Sequence, residues 1–169
     1  YKLLLGKGLV DETLEKINLI LKIDNKNYDA LRDKSYIYFL KNDYVGAKKY
    51  IENISSLKDD DYFGYNIKGL IYLKNSLFEE AKKNFVSAIK INNQYIDSYN
   101  NLGACLLELE QLDEAKKVFY RAYNIDKKNV STLTNLANVL SLQDNIVEAV
   151  NYYNEAISLD PNNQEILSN

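Results

Sequence analysis

The sequence predicts an all-helical array of antiparallel helix pairs, and three observations predict it. The stretch 130–163, VSTLTNLANVLSLQDNIVEAVNYYNEAISLDPNN, holds two amphipathic segments, a short polar turn between them, and a closing Asp160-Pro161. Moved back by its own 34 residues it falls on 96–129, then 62–95, then 28–61, without an insertion; a further step covers 1–27, the same unit without its first seven residues. The columns generated by this register alternate small with large. Thr13, Ala47, Ala81, Ala115 and Ala149 form one small column, and Ser35, Gly69, Gly103 and Ala137 another. Between them recur Leu31, Tyr65, Tyr99 and Leu133; Leu4, Tyr38, Tyr72, Leu106 and Leu140; and Ile17, Ile51, Phe85, Phe119 and Tyr153. Small groups let two helices approach and large ones fill the gaps. A fixed period of this length is the mark of stacked units that bury apolar surface only against their neighbours.

The motif within each unit (aromatic or Leu, Leu-Gly, Tyr or Leu, Ala, Phe or Tyr, Ala, Pro) resembles the tetratricopeptide repeat, and the resemblance covers the whole chain. It implies an all-α, right-handed superhelical solenoid of antiparallel helix pairs. Residues 1–169 read as a single array: 1–27 a partial repeat, 28–61, 62–95, 96–129 and 130–163 full repeats, and 164–169 the start of another. A chain that begins without Met and inside a repeat is expected to be a fragment of a longer protein, able to self-associate through its cut repeat ends.

Taken in order, the first unit should supply a partial helix to about residue 7, a turn at Gly8 and a helix over 11–24. Asp11 and Glu12 place negative charge on its first turn, which the helix dipole favours. Gly6-Lys7-Gly8 is not a phosphate loop, which needs a longer glycine run after a strand. The second unit should hold helices over 28–41 and 44–57, and has Ile54 where Ala88, Ala122 and Ala156 follow; Ile20 stands there in the first unit. Such bulk should widen the first two contacts and make the superhelix less regular toward the N-terminus. Asp59-Asp60-Asp61 reads as a solvated loop, since calcium loops space their oxygens around a glycine turn. Helices are expected over 62–74 and 78–91, over 96–108 and 112–125, and over 130–142 and 146–159; Pro161 cannot continue the last.

Composition excludes several functions. A net charge of -3 and no basic cluster among aromatics argue against nucleic acid. No apolar run reaches the roughly 18 residues of a spanning helix. Tyr1-Lys2-Leu3-Leu4-Leu5 continues the repeat register and reads as helix, not as part of a signal peptide. The absence of histidine removes Ser–His and Cys–His nucleophile pairs and His-rich metal sites. Cys105 shares an apolar column with Leu3, Ile37, Ile71 and Val139, so it reads as a small core residue. One cysteine forms no internal disulfide, which agrees with a reducing, cytoplasmic setting. Carboxylates such as Glu79 (with Lys82 and Lys83) and Glu114 (with Lys117) are spaced as exposed helix pairs, and the fifteen tyrosines as packing groups. No catalytic residue, metal site or cofactor is expected.

In the family, the first helix of each pair lines a concave face that holds extended peptides or partner helices. By resemblance that face takes Asp29, Arg32, Asp33, Tyr36 and Phe39 from the second unit and Phe63, Asn66, Leu70 and Leu73 from the third. The fourth gives Asp97, Asn100, Asn101, Ala104 and Leu107, and the fifth Ser131, Thr134, Asn135, Asn138 and Ser141. The groove thus passes from charged-aromatic through apolar to uncharged polar. Chaperone-binding members carry a carboxylate clamp of Lys and Asn, then Asn, then Lys and Arg on successive first helices. The corresponding positions are Asn66 and Leu70, then Asn101, then Ser131 and Asn135; one unit earlier they are Arg32 and Tyr36, then Ile67, then Asp97 and Asn101. Only one position matches, so a chaperone C-terminus is not the expected ligand.

Asn100-Asn101-Leu102-Gly103 and Thr134-Asn135-Leu136-Ala137-Asn138 are similar to the repeats that precede O-linked N-acetylglucosamine transferases. There one asparagine per repeat forms a ladder along a peptide backbone; Asn101, Asn135 and Asn169 hold that column at 34-residue steps, while Asp33 and Ile67 break it. An amide both donates and accepts, so such a ladder reads main chain with little side-chain preference. The fifth unit has no Lys or Arg, and its acids Asp144, Glu148, Glu155 and Asp160 lie outside the groove columns; binding there should rest on hydrogen bonds and depend weakly on salt. The expected function is a non-catalytic interaction module for a protein or peptide. The alternatives are the substrate-selecting arm of a larger glycosyltransferase-type enzyme and a self-associating structural spacer.

Overall fold

The computed structural model describes residues 7–55 and 60–162, with 7–9 and 55 as backbone only. Among them run nine α-helices: α1 (Lys7–Ile23), α2 (Tyr28–Leu40), α3 (Tyr44–Ser55), α4 (Tyr62–Lys74), α5 (Phe78–Ile91), α6 (Ile96–Glu108), α7 (Leu112–Ile125), α8 (Val130–Leu142) and α9 (Ile146–Leu159).

Local chemistry sets the helix ends. Asn27, Asp61 and Asn129 occupy one column, and each side chain accepts from an N–H three residues on: Ala30 at 3.1 Å, Gly64 at 2.9 Å and Thr132 at 3.0 Å. An unpaired N–H of the first turn is satisfied at each of these starts. Tyr95 fills the same column before α6 and offers no such oxygen, and that helix has no side-chain cap. Within each pair the chain turns through one left-handed residue: Asn42 (φ 60°), Ser76 (57°), Glu110 (58°) and Asp144 (60°). None is glycine, although that conformation costs a β-carbon-bearing residue about 1–2 kcal/mol.

The pairs α2/α3, α4/α5, α6/α7 and α8/α9 close on the small columns. Ala81, Ala115 and Ala149 are buried. At Gly69 a β-carbon would come within 2.5 Å of the Phe85 ring, and at Gly103 it would come closer still to the Phe119 ring. Both rings are fully buried, so they lie directly on the partner helix backbone and have nowhere to move. Cys105 is buried beside them, its Sγ donating to the Phe78 carbonyl at 3.1 Å, and burial pushes its thiol pKa up.

Units then stack α1 on α2, α3 on α4, α5 on α6 and α7 on α8. Ile54 stands, fully buried, where Ala88, Ala122 and Ala156 stand later. First helices touch in succession (α2 with α4, α4 with α6, α6 with α8) and, among the described residues, second helices make no comparable contact, so the array curves inward on its first helices.

Some expectations are corrected. Gly8 lies inside α1, so no turn forms there; glycine in a helix costs only about 0.5–1 kcal/mol relative to alanine, which the packing of α1 on α2 can offset. The partial helix expected before residue 7 and the segment 164–169 lie outside the described residues, as does Asp59. α2 ends at Leu40, one residue before the expected 41, and the expected last residues of α3, 56 and 57, lie outside the described residues. Asp61 is not solvated: it is 2 % exposed, caps α4, and accepts from the Tyr28 hydroxyl at 2.9 Å. Lys82 does not pair along its own helix but crosses to the next unit, 3.5 Å from Glu114 and 2.8 Å from the Gln111 side-chain oxygen. Among the described residues no helix is long and apolar enough to cross a membrane.

Candidate functional site

Inward curvature on α2, α4, α6 and α8 leaves a groove of about 790 Å³ along the first helices. Helical spacing aims the same positions of each first helix into it, so its chemistry changes from unit to unit while its geometry repeats.

At the N-terminal end the wall is aromatic and ionic. Arg32 holds Asp29 at 2.6 Å and Asp33 at 2.8 Å, and its guanidinium lies 5.7 Å from the centre of the Phe63 ring. Burial works to lower the Arg32 pKa, and the two acids outweigh it, so the charge is retained. Tyr36 stands edge-on to Phe63, centroids 6.1 Å apart, and stacks on Phe39 at 6.4 Å. Across the groove Tyr62 and Tyr95 meet edge-on at 5.0 Å. Burial, and next the Asp97 carboxylate, push the Tyr36 phenol pKa up; the same two causes, in that order, hold Tyr95 well above the ordinary phenol range.

The C-terminal part is built from amides and hydroxyls. Asn66 Oδ1 accepts from Ser98 Oγ at 3.1 Å and from the Asn101 amide at 3.0 Å. One unit on, Asn100 Oδ1 accepts from Thr132 Oγ1 at 3.1 Å. Asn66 and Asn100 are 3 % and 8 % exposed, so they form the groove floor and tie α4 to α6 and α6 to α8. Both line the groove as expected from their column, with their carbonyl oxygens engaged by the fold. Thr134, third in that column, is buried and donates back to the Val130 carbonyl at 2.9 Å. Asn135 is half-buried in the wall, and its amide has no hydrogen-bond partner among the described residues.

Of the residues named from sequence, Arg32, Tyr36, Asn66, Asn100, Asn101, Thr134 and Asn135 all line the one groove. Asn138 does not: its Oδ1 accepts from the Tyr153 hydroxyl on α9. Asn169 lies outside the described residues. Tyr62 and Tyr95 belong to the wall although no groove column contains them; they sit at the mouth of their helices, in columns that otherwise read as capping and packing positions. Among the described residues no group of three or more Cys, Asp or Glu could hold a metal ion. The site offers stacking faces, amides, hydroxyls and a few charges, which suits binding.

Two tetratricopeptide-repeat family models match the sequence, over residues 64–95 and 96–162. No curated protein matches it in sequence. Among solved structures, TTC0263, a thermophilic tetratricopeptide-repeat protein of Thermus thermophilus, is 16% identical with a TM-score of 0.81, covering 95% of this chain and 88% of its own. MamA is 19% identical with a TM-score of 0.70, covering 94% of this chain and 93% of its own. YrrB, described as a tetratricopeptide-repeat protein with an unusual peptide-binding site, is 19% identical with a TM-score of 0.67, covering 95% of this chain and 83% of its own. At these identities the likeness carries the fold alone. Repeats of this kind generally mediate protein–protein interactions and are typically non-catalytic. With adjoining family models spanning 64–162 and helix pairs at the same period through the described residues on either side, the chain belongs to the tetratricopeptide-repeat family.

Proposed function

We propose that this protein is an interaction module whose concave groove takes an extended peptide from a partner protein, with Asn101 and Asn135 addressing the peptide backbone. The observation that carries the reading is the Asn135 amide: it lines the groove, half-buried, with no hydrogen-bond partner among the described residues and with its polar atoms still open to water, so a ligand can reach it. A bound main chain would satisfy it with one acceptor and one donor. Asn101 donates one amide hydrogen to Asn66, and its Oδ1 is left to accept.

The test is a titration of random extended peptides, immobilised as an array, against the parent and an Asn101→Ala/Asn135→Ala double variant. Two lost hydrogen bonds should weaken binding by about tenfold or more across the array, with little change in which peptides are preferred. Equal binding by both proteins would overturn the asparagine ladder. A narrower version, in which the groove selects substrates for a glycosyltransferase-type enzyme, rests on the same two asparagines and requires that peptides held here be sugar acceptors.

A further inference from the structure

Asp29 and Asp97 are equivalent positions two units apart, each in the first turn of a first helix, and Asp97 lines the groove. Three residues after Asp29 comes Arg32, which pairs with it at 2.6 Å and spreads its guanidinium over Phe63. Three residues after Asp97 comes Asn100, whose carbonyl is engaged by Thr132 on the next helix. The acid is thus repeated and the cation is not. Asp97 is exposed in the groove; it interacts with the Tyr95 hydroxyl by a hydrogen bond but has no ion pair among the described residues. Around it stand the half-buried rings of Tyr36, Tyr62 and Tyr95, which line the same groove and present π surface. The helix dipole accounts for an acid in this turn; it does not account for aromatic walls around that acid without a counter-ion.

We infer that Asp97, with Tyr36, Tyr62 and Tyr95, forms a subsite for an arginine side chain of the bound peptide. The chain's own Arg32 displays the required arrangement one step away: a planar guanidinium between carboxylates and against an aromatic face. Arginine fits this better than lysine, because its fork matches a carboxylate and its flat face stacks, whereas an ammonium is a compact and strongly hydrated charge. Asp33, the other acid of the wall, is already held by Arg32 at 2.8 Å, so the unmatched charge resides at Asp97.

This inference rests on the peptide-groove reading, and its experiment separates the two. Four peptide pools share random flanks and carry Arg, Lys, Gln or Glu at one central position; each is titrated against the parent, Asp97→Asn and Asn135→Ala. In the parent the Arg pool should bind about tenfold tighter than the Gln pool, with Lys between and Glu weakest. Asp97→Asn should bring Arg down to Gln, and Asn135→Ala should weaken every pool and keep the order. The Arg preference should also shrink with added salt, unlike the backbone contribution. Equal binding of all four pools by the parent, or an Arg preference that survives Asp97→Asn, overturns the subsite and leaves the groove reading standing. No binding of any pool overturns both.

Discussion

The seam between α2 and α4 and the seams that join α4, α6 and α8 set one column of the repeat against different partners. At the first, Arg32 meets Phe63 and two acids, and Tyr36 leans on Phe63. At the others the same column holds Asn66 and Asn100, each accepting from a hydroxyl of the next first helix. The aromatic and ionic seam is half open to water and leaves ring faces in the groove. The amide seam is buried, with its oxygens already occupied. Position in the repeat therefore decides where a side chain points, and its neighbour one unit on decides whether it serves the fold or a ligand.

The largest test of that contrast is Asn66→Ala. It leaves the fully buried Ser98 hydroxyl and one Asn101 amide hydrogen without an acceptor, and should cost about 2–3 kcal/mol in chemical denaturation. Adding Ser98→Ala should recover part of the loss, because removing both partners costs less than orphaning one. A loss below that of the next variant would erase the distinction between the seams.

That variant is Arg32→Ala, expected to cost about 1 kcal/mol or less, since its pairs are partly solvated and its ring contact is a modest one. Added salt should shrink this cost further and leave the Asn66→Ala loss unchanged.

The smallest effect lies in the turns. Glu110→Gly removes a left-handed penalty of about 1–2 kcal/mol and adds back about 0.5–1 kcal/mol of glycine entropy, so a gain of about 0.5–1 kcal/mol should appear as a higher Tm. Asn42→Gly, in the N-terminal half, should gain less, because asparagine tolerates that conformation.

Much of this was legible in the 34-residue columns. Ala81, Ala115 and Ala149 announce close helix contacts by being small in register, and the third, fourth and fifth helix pairs begin and end where apolar periodicity gives way to polar turns. The roles of Asn66 and Asn100 were hidden because their partners, Ser98 and Thr132, lie 32 residues on and so fall in a different column. Asn138 looked like a groove residue until its bond to Tyr153 placed it against its own pair partner, a contact that depends on the reach of a phenol. Asp61 was disguised by two preceding aspartates, although Asn27 and Asn129 in its column were caps in plain view. Tyr62 and Tyr95 reach the groove through curvature, which a single unit does not encode.

The half-open seam between α2 and α4 has a mechanical consequence. Units here grip their neighbours, so a load applied at the two ends passes through every junction in series. A series yields at its weakest member. Stretched, this array should part first between the pairs α2/α3 and α4/α5, within the groove's N-terminal part, while the amide-tied units from α4 onward still behave as one stiff spring.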